Sequence, residues 1–267
     1  MNDMYKSSHE FFEIVIADTS ELLEIVYSIR YQVLCVEKRL PGFDASHYPD
    51  KLEKDTNDSH SVHALLRFRP SGDFIGTVRL ILFDPLQPEK LFPVELNTQL
   101  DPALCNTKSL LRQQTAEISR FVIVNQFDRR KGECRREEHR EPKIETIDEN
   151  IAVRDRRFMD RRSTPHLALL LAASVVHLSA KNNIRYWLSV MDPALNRLLG
   201  YGGMHFNPIG PPVNYHGIRR PYYAKVEDVL NRIYKEHHDA WEVLTECGEY
   251  HPFLVARRKM LGQEAVF

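Results

Sequence analysis

Apolar positions along the chain follow two rhythms, one of period two and one of three to four, and their succession lays out the fold. Residues 11–17 are rich in aromatic and β-branched side chains and predict a first strand. Asp18-Thr19-Ser20 then supplies helix-capping oxygens. Leu22, Ile25, Val26, Ile29, Val33 and Val36 recur at three- and four-residue steps, which predicts an amphipathic helix to about Glu37. A polar loop over 41–59 carries Asp44, Asp50, Asp55 and Asp58. Beyond it, the β-type runs 62–68 and 74–83 flank Arg69-Pro70-Ser71-Gly72-Asp73, the pattern of an antiparallel hairpin. Pro85, Pro88 and Pro93 mark an irregular connection to a strand over 118–124.

From 128 to 162 the character changes to mixed charges with almost no aromatic residue, poor core material that predicts a mobile insertion or an exposed helix. Ser163-Thr164-Pro165 opens an apolar helix over 166–181, stopped by Asn182-Asn183. A strand over 184–190, a short helix over 193–199 and a glycine break at 200–203 follow. Two further strands, 204–209 and 222–226, are expected around the loop 210–217, and Val229, Ile233, Trp241 and Leu244 suggest a final helix. No internal repeat is visible. The order predicts an α/β sandwich on a mixed sheet: one domain over 1–267 with an insertion at 128–162 and a helical extension from about 227.

Composition narrows the class. Hydrophobic content of 43%, charged content of 27% and a net charge of −1 over 267 residues are those of a globular protein with no global field for nucleic acid or anionic membrane. The N-terminus lacks the basic start and apolar stretch of a signal peptide, and the longest apolar run is too short to span a bilayer, so a cytoplasmic protein is expected. Cys35, Cys105, Cys134 and Cys247 are far apart and read as reduced thiols; no metal-ligand spacing occurs.

Candidate chemistry centres on Ala116-Glu117-Ile118-Ser119-Arg120-Phe121, where an acid and an arginine open an apolar run. Alternation sends Glu117, Ser119 and Phe121 to one face and Ile118, Arg120 and Val122 to the other, so Glu117 and Arg120 are not expected to pair. Charges at the mouth of a buried strand cost several kcal/mol unless paired or used. There is no G-x-S-x-G nucleophile, no phosphate-cradling loop and no base beside Ser119 or a cysteine. What remains is a set of charges: Arg30 on the first helix, Asp55 and Asp58 in the loop, Arg79 interrupting the hairpin, then Glu117 and Arg120. Arg79 partnered by one of the aspartates is the simplest structural reading.

Ser28-Ile29-Arg30-Tyr31-Gln32-Val33, the Asp55/Asp58 loop, Gly76-Thr77-Val78-Arg79-Leu80 and Glu117-Ile118-Ser119-Arg120-Phe121 together resemble the signature of acyl-homoserine-lactone synthases and N-acyl amino acid synthases. The segments 190–197 and 209–217 resemble more closely the acyltransferases of PEP-CTERM/exosortase systems. The resemblance covers 12–126 and 165–225. It implies a GNAT-type fold with a mixed, mainly antiparallel sheet flanked by helices. It also implies transfer of a long-chain fatty acyl group from acyl carrier protein, or from coenzyme A, to the amine of an amino acid or similar small molecule. No tightly bound cofactor is implied; the acyl thioester is a co-substrate. Glu117 and Arg120 are then the catalytic candidates, and Arg30, Asp55, Asp58, Arg79, Ser119 and Phe121 the substrate-binding ones. The tryptophan of lactone synthases is missing after the first helix, which argues against S-adenosylmethionine as acceptor. A pyrophosphate loop is present only in part at Arg129-Arg130-Lys131-Gly132-Glu133-Cys134.

The chemistry of aminolysis fits these residue types. Glu117 would take the amine proton, and Arg79 and Arg120 would hold the acids or bind an acceptor carboxylate. Backbone N–H groups where the central strand leaves its neighbour would face the thioester carbonyl. The helix 167–178 and the strand 184–190 would line an acyl tunnel, or be ordinary core. The competing expectations are a coenzyme A-dependent GNAT N-acyltransferase and a non-catalytic sensor on the same fold.

Overall fold

The computed structural model describes residues 2–125 and 163–251, so the expected insertion at 128–162 and the partial pyrophosphate loop lie outside the described residues. The chain begins with helix α1 (Asp3–Phe11), which the hydrophobic pattern does not predict because its residues are mostly polar. Asn2 caps it, its Oδ1 accepting the Tyr5 N–H at 2.7 Å. Strand β1 (Phe12–Ile16) follows, then α2 (Ser20–Tyr31), capped by Thr19, which continues into a π-helical turn at Gln32–Glu37. The hairpin strands β2 (Ser61–Phe68) and β3 (Phe74–Ile81) stand where expected, as does β4 (Thr115–Ile123), with a short helix α3 (Pro93–Asn97) between β3 and β4.

The second half contains α4 (Ser163–Lys181), β5 (Tyr186–Met191) and α5 (Pro193–Gly200). The strand expected over 204–209 shrinks to β6 (Asn207–Pro208); Met204, Phe206 and Ile209 are apolar because they plug the core from a loop. After β7 (Val213–Asn214), the strand expected over 222–226 starts earlier, as β8 (Ile218–Lys225), hidden by the polar Arg219 and Arg220. The single final helix is two, α6 (Val226–Glu236) and α7 (His238–Thr245), separated at His237.

The strands order as β1-β2-β3-β4-β5-β8-β6, with β7 on the outer end of β8. All neighbours are antiparallel except β4 and β5, which run parallel from Thr115↔Tyr186 to Ile118↔Ser189. Beyond that register the two strands separate, and the edge of β4 facing β5 has no partner strand among the described residues. This is the fold predicted from the sequence: a mixed, mostly antiparallel sheet between helices.

One face of the sheet packs against α2 through Val26, Ile29, Leu65 and Val122. The other packs against α4, whose Leu167, Leu171, Val175 and Leu178 join Leu66, Val78, Leu80 and Ile118. Helix α4 is apolar nearly all round because α7 covers its outer side, so it has no solvent face to make it amphipathic. Burying each such leucine contributes about 1.5–3 kcal/mol. Trp187 pins α4 to β5, its indole N–H donating to Ser179 Oγ at 2.8 Å. Among the described residues, no helix is long and apolar enough to cross a membrane.

Candidate active site

Strand β4 breaks its own alternation. Thr77 pairs with Val122 and Arg79 with Ser119, so Val78 alone faces both Arg120 and Phe121. This is a β-bulge, and Arg120 takes a left-handed φ of 51° to make it. Such backbone costs a non-glycine residue about 1–3 kcal/mol and persists only where the surroundings fix it. The bulge corrects the expected facing. Glu117, Ser119, Arg120 and Val122 share one face, while Ile118, Phe121 and Ile123 turn to α4. Glu117 and Arg120 still make no direct hydrogen bond, but for a reason other than opposite faces: Arg120 is held elsewhere.

It belongs to a closed ring of six alternating charges. Arg30 bonds Glu53 through Nε and Asp58 through both terminal nitrogens, at 2.7 and 3.2 Å. Asp58 also accepts from Arg79 at 2.7 Å, and Arg79 reaches Asp55 at 2.7 Å. Asp55 accepts from Arg120 at 2.8 Å, and Arg120 closes the ring on Glu53 at 2.8 Å. Three guanidiniums thus neutralise three carboxylates. The sites lie apart in sequence but close in register, since α2, the 53–58 loop, β3 and the β4 bulge converge on one face. Arg30 and Glu53 are both 0% exposed. Burial alone disfavours ionised Glu53, Asp55 and Asp58, but the arginines more than offset it and hold all three below the ordinary carboxylate range. Arg79 Nε also donates to Ser119 Oγ at 2.9 Å, and the Arg120 guanidinium lies 4.9 Å from the centre of the Phe43 ring.

Glu117 is the acid left out of this ring. It is 3% exposed, and among the described residues one hydrogen bond serves its carboxylate, from the Val94 N–H at 2.8 Å. Burial pushes its pKa up to about 7; the Val94 N–H and Arg79 oppose the rise and Glu95 adds to it. The donor is fixed by α3: Glu95 accepts the Phe92 N–H at 2.8 Å, and Arg112 grips Glu95 at 2.8 Å while lying over the Phe92 ring. A carboxyl that changes charge near neutral pH inside a cleft is suited to proton transfer.

The cleft is a cavity of about 400 Å³ that starts where β4 and β5 separate. Its polar end is walled by Asp55, Arg79, Glu117, Ser119, Arg120 and Tyr215, and its apolar arm by Ala168, Ala172, Val175, Leu195, Leu198 and Phe206. Of the expected site residues, Glu117, Arg120, Asp55, Arg79, Ser119 and Phe121 line it. Arg30 and Asp58 lie behind that wall and reach the cavity only through the ring. The expected acyl-tunnel positions on α4 and β5 divide: Ala168, Ala172, Val175, Ser189 and Val190 face the cavity, while Trp187 and Leu188 are core.

Three residues escape the sequence reading. Glu53 sits between Lys51 and Lys54 and looks like a surface acid, although its spacing of two from Asp55 in an extended stretch is a usable sign of a shared side. His63, opposite Arg79 in the β2–β3 register, is 1% exposed with no hydrogen bond to either ring nitrogen among the described residues; burial and the Arg30 charge drop its pKa to about 4, so it stays neutral. Tyr215 lies in the 209–217 segment, to which the sequence assigns no side-chain role. Among the described residues no cluster of His, Cys, Asp and Glu could hold a metal ion.

The fold is GNAT-like, a mixed and mostly antiparallel sheet flanked by helices. Residues 29–135, from the last turn of α2 to beyond the end of β4, match the family model of the acetyltransferase (GNAT) domain. The comparison with curated proteins returned no relative. Among solved structures, the coenzyme A-dependent acyl-homoserine lactone synthase BjaI, with SAM and isopentyl-CoA, is similar with a TM-score of 0.53 at 16% identity, over 89% of this chain and 99% of that one. TofI, in a ternary complex with an inhibitor and MTA, is similar with a TM-score of 0.51 at 16% identity, over 86% and 96%. FeeM, an N-acyl amino acid synthase from uncultured soil microbes, has a TM-score of 0.47 at 14% identity, over 83% and 94%. At these identities the likeness to BjaI and TofI is one of fold.

Proposed function

We propose that the protein is an N-acyltransferase that moves a long-chain fatty acyl group from an acyl carrier protein thioester to the amine of an amino acid or related small molecule. The observation that carries this reading is one cavity with two chemistries: an uncompensated buried acid at its polar end and an aliphatic arm running from it. The thioester carbonyl would lie at the parting of β4 and β5, against the unpaired backbone edge of β4. Glu117 takes the proton from the attacking amine, directly or through water; the amine nitrogen bonds the acyl carbon, and the thiolate leaves and is protonated. Arg120 and Arg79 line the cleft while tied to the ring, each with one terminal nitrogen the ring does not use, which positions them to donate to an acceptor carboxylate. Arg30 and Asp58 hold that arrangement from behind. Leu195, Ala172 and Val175 receive the chain, each buried methylene contributing about 0.8 kcal/mol.

The same reading takes the chain as one domain acting in the cytoplasm, and its 190–197 and 209–217 segments support a place among exosortase-associated acyltransferases. Coenzyme A as donor is the second reading, favoured by the likeness to a synthase solved with isopentyl-CoA. Incubation with long-chain acyl carrier protein or acyl-CoA and a mixture of amino acids, followed by mass spectrometry, tests both. An N-acyl amino acid from the carrier-protein arm is expected; product from the coenzyme A arm alone would move the donor assignment, and no product from either would refute the function.

A further inference from the structure

The hairpin formed by β7 and the start of β8 takes no part in the chemistry above, yet it is built onto the site. Val213 pairs with Arg219 and Asn214 with Ile218, whereas β8 first meets β5 at Arg220↔Met191, so the hairpin projects past the end of β5 and over the cleft. Its turn is tight: the Tyr215 N–H donates to the Gly217 oxygen at 2.9 Å, with φ of 55° at His216 and 98° at Gly217. Tyr215 and His216 line the same cavity as Glu117 and Arg120. The hydroxyl of Tyr215 makes no hydrogen bond among the described residues.

The tip is fastened to the opposite bank. His216 Nδ1 lies 2.8 Å from the Pro41 oxygen, 175 residues away, as an N–H donor in that tautomer. Its ring centre is 4.6 Å from that of Phe43, the residue on which Arg120 lies. A Cβ at Gly42, where φ is 85°, would come within 2.7 Å of Nδ1, so a side chain there would unseat the imidazole. A side-chain hydrogen bond, an aromatic contact and a glycine seat thus converge on one residue of the loop motif.

We infer that this hairpin is a strap, latched by His216, that decides which nucleophile reaches the thioester: the amine acceptor is held beneath Tyr215 and bulk water is kept out. The inference rests on the acyl-transfer reading. When water attacks instead, its oxygen bonds the acyl carbon, the carbon–sulfur bond breaks, the thiolate is protonated, and the product is a free fatty acid. Aminolysis and hydrolysis share the acyl pocket, so a change confined to the strap shifts their ratio.

Hydrolysis and N-acyl product are measured together for wild type, His216→Ala, His216→Asn, Tyr215→Phe and Gly42→Ala, with long-chain acyl carrier protein and the amine that wild type acylates. His216→Ala and Gly42→Ala should raise the ratio of hydrolysis to transfer and the acceptor KM several-fold. Tyr215→Phe should raise the acceptor KM with kcat less affected. His216→Asn, whose amide can take the place of Nδ1, should restore the wild-type ratio. Equal loss of both reactions, or an unchanged ratio and KM, overturns the strap. Amide hydrogen exchange of 213–218 in the free protein provides a readout that needs no turnover. Faster exchange in His216→Ala than in wild type supports the latch even if the acyl-transfer reading fails, and identical exchange overturns it.

Discussion

Glu117→Gln is the most informative single substitution, because burial gives its effect a size and a pH dependence. Raising the carboxyl from 4.5 to about 7 favours its protonated form by about 3 kcal/mol. In the unfolded chain the group titrates at its ordinary value. Between the two values the folded protein therefore holds a proton that the unfolded chain has released. Stability from this site is fully present below 4.5 and declines as pH rises through about 7. Above that, folding must bury a carboxylate whose only hydrogen bond among the described residues is from Val94. Glutamine has nearly the same shape, is neutral at every pH and still accepts the Val94 N–H. Urea denaturation should find the two proteins about equal near pH 4.5, and Glu117→Gln more stable by about 2–3 kcal/mol near pH 8.5. With an m-value of about 1–3 kcal/mol/M, that moves the midpoint by roughly 1 M urea or more. The ring carboxylates are common to both proteins and cancel. A difference that does not change with pH, or a variant less stable at high pH, would refute the reasoning, since it would mean the carboxylate is compensated in the fold.

The ring itself makes an opposite pH prediction. Glu53, Asp55 and Asp58 have folded pKa values below their ordinary ones, so their stabilisation is present above the ordinary carboxylate range and lost as pH falls through the folded values. Near-UV circular dichroism should stay native to below about pH 4, and loss of the signal near pH 5 would contradict it. Glu53→Ala leaves the wholly buried Arg30 short of a partner and should cost about 3–5 kcal/mol in chemical denaturation. Ala172→Phe fills the apolar arm, so long-chain donors should lose kcat/KM while short-chain donors keep it; equal loss across chain lengths would move the acyl site elsewhere.

Strands β2, β3, β4 and β5 and helices α2 and α4 were legible in the sequence because each carries its signal locally, as alternation, capping residues or an unbroken apolar run. The strand expected over 204–209 survives only as the two residues of β6, and β7 was not foreseen, since two residues cannot show a period. The bulge at Arg120 and Phe121 was hidden for a different reason. It is a property of the β3–β4 pair, two residues against one, and no feature of β4 alone announces it. The facing of Arg120 changed with it. Candidate charges were found because Arg79 and Arg120 interrupt apolar runs, whereas Glu53 lies among lysines and gains its meaning only when Arg30 and Arg120 arrive from elsewhere in the chain. Glu117 was singled out as an acid opening a strand, but its isolation follows from the ring absorbing every neighbouring arginine, which requires all six partners in space.

The central claim is that Glu117 is the proton acceptor of an acyl transfer. Its most direct test is the rate of N-acyl product formation against pH for wild type and Glu117→Gln under saturating thioester. Wild type should rise through an apparent pKa of about 7, and the variant should fall by roughly 10²–10⁴-fold while remaining folded. A Glu117→Gln protein that acylates at the wild-type rate with the same pH profile would contradict the account.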